Sequence, residues 1–286
     1  EMQRSLVGSE MCIRDRCGGK KILVDCGLQQ GRDERDNSEL DFTPGFIDAV
    51  VVTHAHIDHS GRIPLLVKEG FQGQIFTTRL TGELLSIMLR DSAFIQESDA
   101  QWQNQKGKRA GRPEVEPLYT VADAEAALEQ IFTVEYGQTL DLCEGVKIRF
   151  RDAGHLLGSS IVEIWAKEGD VERKLVFSGD LGNVDQPIIR DPTYLTGADY
   201  VVMESTYGDR NHKDEDISDQ ELADAIAYSY SKGEKVIIPA FAVERTQEIL
   251  YCLHILQSKG KLPADMPVFV DSPLATVSYT HLTLPT

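Results

Sequence analysis

Ala49-Val50-Val51-Val52-Thr53-His54-Ala55-His56-Ile57-Asp58-His59 is the stretch on which the fold turns. Its first half is rich in β-branched residues and reads as a buried strand, and Ser60-Gly61-Arg62-Ile63-Pro64-Leu65-Leu66-Val67 reads as a turn running into a short helix. The run from His54 to His59 is therefore expected in a strand-to-helix loop at a sheet end, where α/β proteins place their chemistry. Three of the chain's 7 His fall there, beside Asp58. A polar loop that happens to be rich in His is the plain alternative, and the density of ligand chemistry argues against it. Imidazole nitrogens and carboxylate oxygens suit zinc, and adjacent loop residues can face two ions a few ångström apart.

The composition, 286 residues with 41% hydrophobic and 26% charged, is ordinary for a globular protein with a full core, as one large domain or two smaller ones. No run approaches a membrane span or a signal peptide, so the cytoplasm is the expected compartment. Cysteines at 12, 17, 26, 143 and 252 form no Cys-x-x-Cys pair and support no disulfide framework. The net charge of -17 argues against attraction of nucleic acid or anionic lipid to the whole surface, though not to one groove carrying divalent cations. The one basic run, Lys106-Gly107-Lys108-Arg109-Ala110-Gly111-Arg112, reads equally as a solvated linker between two helices or as a loop touching phosphates.

Both ends differ in texture from the rest. Residues 9–16 and 277–286 resemble translated adapter DNA, so 1–16 and 277–286 are set aside as a non-native leader and tail, and His281 is no ligand candidate. A strand over Lys20–Asp25 follows a Gly18-Gly19 turn whose other arm is expected to be missing. Further strands are expected at 74–78, 146–150 and 198–203, with a hairpin joining 161–165 to 174–177. Helices are expected over 81–98 and from the capping box at Thr120-Val121-Ala122-Asp123 through Ile131. Asp25, His54, His56, Asp58, His59, His155, Asp180 and Glu204 all fall where a strand ends, as a sheet-edge active site requires. Taken singly, His155, Asp180 or Glu204 would pass for a turn or cap residue. Two β-layers flanked by helices is the simplest architecture.

Beyond Gly208 the pattern becomes helix, strand, helix, strand. A helix is expected from the capping box Ser218-Asp219-Gln220-Glu221 to Gly233, then a strand over 235–241, a helix over 243–258 and a strand over 267–271. That reads as the start of a second, parallel α/β domain.

Together these motifs resemble the metallo-β-lactamase fold hydrolases, and within them the β-CASP nucleic-acid-processing group. Asp25 looks like the first motif, His54-Ala55-His56-Ile57-Asp58-His59 the second, His155 in Gly154-His155-Leu156-Leu157-Gly158-Ser159 the third, and Asp180 in Ser178-Gly179-Asp180 the fourth. Glu204-Ser205-Thr206-Tyr207-Gly208 resembles the β-CASP acidic motif, and residues 239–248 the next strand and helix of the inserted domain. The resemblance spans 17–276. It implies an αββα sandwich over 17–208 and a partial β-CASP domain over 209–276, both belonging to a chain truncated at each end.

The resemblance also assigns roles. It gives His54, His56 and His155 to one zinc, Asp58 and His59 to a second, and Asp180 to both, with Asp25 hydrogen-bonding behind the ligand loop. Asp58, Asp180 and Glu204 are the expected catalytic residues, and a hydroxide held between two Zn(2+) ions would attack an RNA phosphodiester in line. Lys106, Lys108, Arg109 and Arg112 are candidate RNA contacts. RNA is the expected partner, with a homodimer as a further expectation and no membrane. Two C-terminal His motifs of the family have no counterpart, since His212 and His254 match neither, so the chain as given is expected to be inactive. A thioester or lactone hydrolase of the same fold and a non-catalytic RNA-binding subunit are the alternatives. The second domain counts against the first, and the intact ligand set against the second.

Overall fold

The computed structural model describes residues 13–17, 19–30, 37–108, 111–209 and 215–275. Arg109, His212, His281 and the tail 277–286 lie outside them. The chain divides into two compact units, Glu1–Glu204 and Ser205–Thr286. No helix among the described residues is long and apolar enough to cross a membrane.

The first unit holds two five-stranded sheets, each built from consecutive strands. One runs β1-β2-β3-β4-β5 through β1 (Ile13–Cys17), β2 (Lys20–Val24), β3 (Ala49–Val51), β4 (Gln74–Thr78) and β5 (Ile131–Val134). β1 is antiparallel to β2, and the remaining pairings are parallel. The other sheet runs β10-β9-β8-β7-β6 through β6 (Thr139–Cys143), β7 (Val146–Asp152), β8 (Ser160–Glu168), β9 (Val171–Phe177) and β10 (Tyr200–Val202). It is antiparallel except for β10, which lies parallel to β9.

Alternation along the strands makes the core. Ile22, Val24, Ala49, Val51 and Phe76 of the first sheet face Val146, Ile148, Phe150, Val162, Ile164 and Phe177 of the second in one buried cluster. The intervening residues Leu23, Val50 and Ile75 are also fully buried. They lie on the opposite face of the first sheet, the side on which α3 (Arg79–Lys108) packs against β4 and β5 and, with α2 (Ile63–Lys68), against α4 (Val121–Leu128). Strands buried on both faces read as continuous apolar runs. The outer face of the second sheet is different, with Arg149, Glu163 and Lys174 alternating with the core residues. Within this unit that face is partly covered by the segment after Asp180, whose Leu181 and Leu195 pack on Ala153, Ile161 and Val176.

Several expectations are revised. β1 takes the hairpin position that the Gly18-Gly19 turn left open, and it is drawn largely from the segment set aside as leader. α1 (Ile57–Ser60) puts Asp58 and His59 on a helical turn rather than in a loop, because the Ser60 hydroxyl donates back to the His56 carbonyl and closes the turn at once. α4 has its capping box at Thr120 and Asp123 but stops at Leu128, so Ile131 belongs to β5. The run Ile131-Phe132-Thr133-Val134 prefers a half-buried pleat. α3 extends ten residues past the expected end at Ser98, placing Lys106 and Lys108 in its last turn, where the helix dipole favours cations.

In the second unit α5 (Glu215–Ser231) and α6 (Arg245–Ser258) pack through Ala223, Ile226, Leu253 and Leu256. α5 begins ahead of the expected cap at Ser218. Residues 235–241 and 267–271 form no strand ladder, contrary to the expectation from sequence, and Ile237 and Phe269 are both 88% exposed. An apolar run becomes a strand only when neighbours take up its N–H and C=O groups.

Candidate metal centre

Every residue of the site follows the C-terminal end of a strand. Asp25 follows β2, Thr53 and His54 follow β3, His155 follows β7, Asp180 follows β9 and Glu204 follows β10. Both sheets thus contribute to one rim.

Three loops are fixed there by hydrogen bonds. The 25–28 segment is laced to α1, with Cys26 N donating to His59 O at 2.7 Å and Leu28 N to Ile57 O at 2.9 Å. Buried Arg62 adds a bond from Nε to Gly27 O at 2.6 Å. The His155 loop closes on Ser159, whose Oγ accepts from His155 N and Leu156 N at 3.0 and 3.1 Å. Thr78, which ends β4, and Thr81, in the first turn of α3, donate their hydroxyls to Gly158 O at 2.7 and 2.8 Å. The turn carrying Asp180 is held by Glu204, whose Oε1 accepts from Leu181 N at 2.7 Å.

His54, His56, His155 and Asp180 bring one donor atom each within 4.8 Å of one another. His56 Nδ1 is 3.1 Å from His54 Nε2 and 3.2 Å from His155 Nε2. Asp180 Oδ2 is 3.9 Å from His54 Nε2 and 3.8 Å from His155 Nε2. A tetrahedral ion about 2.0–2.1 Å from each nitrogen or oxygen donor needs those donors about 3.3 Å apart. The four atoms bracket that spacing, so the residues fit a metal ion. On the other side, Asp180 Oδ1 is 3.2 Å from His59 Nε2. Asp58 is not among the four converging residues, and Glu204 braces the Asp180 turn instead of joining them.

Protonation states follow from burial and neighbouring charge. Burial, reinforced by the surrounding imidazoles, pushes His54 well below the ordinary histidine range. Burial and the His155 charge bring His56 down to about 4, so both rings are neutral and able to ligate. Burial opposes charge on His59, but hydrogen bonds to Asp180 and Asp25 outweigh it and raise its pKa to about 11. An ion at His59 Nε2 would have to replace that proton. Burial raises Asp58, whereas at Asp180 the bond from His59 overcomes burial and lowers the carboxyl.

His54, His56, His155 and Asp180 meet from both sheets, and Asp25 lies behind them, accepting from Thr53 N and sharing a 2.8 Å bond with His59 Nδ1. Of the basic run, Lys106 lies 3.5 Å over the Trp102 ring at the far end of α3, well away from this rim. Sequence reading passed over Thr53, Arg62 and Ser159. A hydroxyl at the last position of a β-branched run, directly before the first His, is the signal that could have found Thr53.

Residues 15–136 match the family model described as the Metallo-beta-lactamase superfamily. The chain is similar to "Ribonuclease TTHA0252" of Thermus thermophilus, 39% identical over 90% of this chain and 54% of that protein. It is also similar to "Transcription termination factor FttA" of Methanosarcina mazei, 31% identical over 93% of this chain and 40% of that protein. It thus spans about half the length of these curated relatives or less. A solved metallo-beta-lactamase of Cronobacter sakazakii aligns at 18% identity with a TM-score of 0.40, over 87% of this chain and 86% of that one. The paired Asp25 and His54–His59 segments lie inside the region that matches the metallo-beta-lactamase superfamily model, and the third and fourth motifs lie on the adjoining sheet.

Proposed function

We propose that this chain supplies the metal centre of a two-zinc ribonuclease of the β-CASP RNA-processing group, which hydrolyses RNA phosphodiester bonds. The observation that carries the reading is the convergence of His54, His56, His155 and Asp180 in a chain 39% identical to a protein named a ribonuclease. In this reading His54, His56 and His155 hold one zinc, Asp58 and His59 the other, and Asp180 both. The placement of Asp180 Oδ2 toward His54 and His155, with Oδ1 toward His59, supports that sharing. Zinc bound there would bring the pKa of a coordinated water toward neutrality and stabilise negative charge on a phosphoryl oxygen.

The chain's own groups do the rest. Asp25 holds His59 by its Nδ1, and Glu204 fixes the turn that aims Asp180. Lys106, Lys108 and Arg112, with Arg109 between them, would meet RNA away from the scissile bond, since the 30-residue α3 extends about 45 Å from the His155 loop. Cytoplasmic residence accompanies that substrate.

The test is metal analysis together with cleavage assays on RNA, single-stranded DNA and a generic thioester, made on a form carried to the full length of its relatives. Two zinc ions per chain are expected, with RNA cleavage lost in Asp58→Ala and His155→Ala. Replacing Lys106, Lys108 and Arg112 by Ala should weaken RNA binding and flatten its salt dependence. A fully active Asp58→Ala protein, or hydrolysis of the thioester alone, would overturn the reading.

A further inference from the structure

We infer that Thr53 is a positioning residue that sets the tautomer of His54, so that the single carboxylate of Asp25 orients imidazoles on both sides of the metal cluster. The inference rests on the metal-binding part of the function proposed above and is independent of the substrate.

Asp25, Thr53 and His54 are all fully buried, so each polar atom among them must be satisfied locally. The Asp25 carboxylate accepts from Thr53 N at 2.7 Å through Oδ1, and through Oδ2 from the Thr53 hydroxyl and His59 Nδ1, both at 2.8 Å. A carboxylate can only accept, so the single hydroxyl hydrogen of Thr53 points at Asp25. What Thr53 Oγ1 then turns toward His54 Nδ1, 3.0 Å away, is a lone pair. His54 must answer with Nδ1–H. Its Nε2 is left unprotonated, and Nε2 is the atom that faces His56 Nδ1 and Asp180 Oδ2.

His59 is held in the same sense. Its Nδ1 donates to Asp25 Oδ2, and its Nε2 faces Asp180 Oδ1. One carboxylate thereby sets His59 directly and His54 through a single hydroxyl.

The backbone that carries the hydroxyl is tied down as well. The Thr53 carbonyl accepts from both N and Oγ of Ser160, at 2.8 and 2.7 Å, which ties this residue to the second sheet. Gly179, with φ +54, runs so close that a Cβ there would lie 3.0 Å from Thr53 Oγ1. A side chain at position 179 would crowd the Thr53 hydroxyl, and glycine leaves it room.

The test compares Thr53→Val, which keeps the branched shape and removes the hydroxyl, with Thr53→Ser, which keeps the hydroxyl. Imidazole nitrogen NMR of the metal-free protein should show His54 as the Nδ1–H tautomer in the parent and in Thr53→Ser, and lose that state in Thr53→Val. Zinc titration by calorimetry should show roughly 10- to 100-fold weaker binding in Thr53→Val, the usual cost of removing an outer hydrogen-bond partner, and near-parental binding in Thr53→Ser. The inference is overturned if Thr53→Val keeps both the tautomer and the affinity, or if Thr53→Ser restores neither. Should Thr53→Val fail to fold by circular dichroism, the parent spectrum decides, and an Nε2–H His54 there overturns the inference. No RNA enters these measurements, so their failure is distinct from failure of the ribonuclease reading.

Discussion

Gly27 and Gly182 are the residues on which the ligand geometry depends without any chemistry of their own. A Cβ on Gly27 would overlap the Asp58 carbonyl, and one on Gly182 would overlap the Gly154 carbonyl beside His155. Neither conflict involves a side chain that could swing away, so Gly27→Ala must push α1 off the 25–28 segment. The expected outcome is a loss of about 1–3 kcal/mol in urea unfolding together with reduced metal content. A Gly27→Ala protein of parental stability and full metal content would show that α1 shifts without consequence. These glycines were not legible in the sequence, because the need for an absent side chain arises only when two loops meet. The converging His54, His56, His155 and Asp180 were legible as candidates, since imidazoles and carboxylates at strand ends announce their chemistry wherever the fold then takes them. Thr53 fell between the two, reading as the last β-branched residue of a strand while its hydroxyl faces Asp25 and His54.

The elements that came through clearly are those whose pattern matches their burial. β7, β8 and β9 alternate because one face meets the core and the other carries Arg149, Glu163 and Lys174, and the hairpin at Gly169 follows from that register. β5 and the distal third of α3 were hidden, one behind an amphipathic helix that ends without a Gly and the other in a polar stretch with no apolar period. The β8 carboxylate of Glu163 is 1% exposed, with Arg149 Nε and Lys174 Nζ each at 2.6 Å. Burial alone would raise its pKa, but hydrogen bonds from Arg149 and Lys174 prevail and hold it below the ordinary 4.5. A group depressed in the folded state stabilises fully above its unfolded pKa, and that contribution fades as pH falls through the folded value. Glu163→Gln should therefore cost about 1–3 kcal/mol at neutral pH. The deficit should shrink in denaturation curves taken progressively below pH 4.5. A deficit that stays constant with pH would mean that the amide merely packs badly.

On the scale of the molecule, the two β-layers could be anticipated from the alternation of their strands, whereas the ladder expected at 235–241 and 267–271 could not be judged from apolar content, which says nothing about neighbours. The order of strands within the layers carries a further consequence. The first sheet is complete by Val134 and the second begins at Thr139, with only the turn at Glu135–Gln138 between them. His54 and His56 come from before that turn, and His155 and Asp180 from after it. The protein is thus already written as two consecutive pieces that meet face to face and share one cluster of donors. Opened between Tyr136 and Gly137 and supplied as separate polypeptides, the pieces should reassemble through their apolar faces. Zinc should tighten that reassembly roughly 100-fold when the free ion is at about 100 times its Kd. Association measured with and without chelator gives the answer, and equal affinity in both would mean that the ion is held by one piece alone. In this respect the metal centre is a seam, and the ion would report whether its two sides have come together.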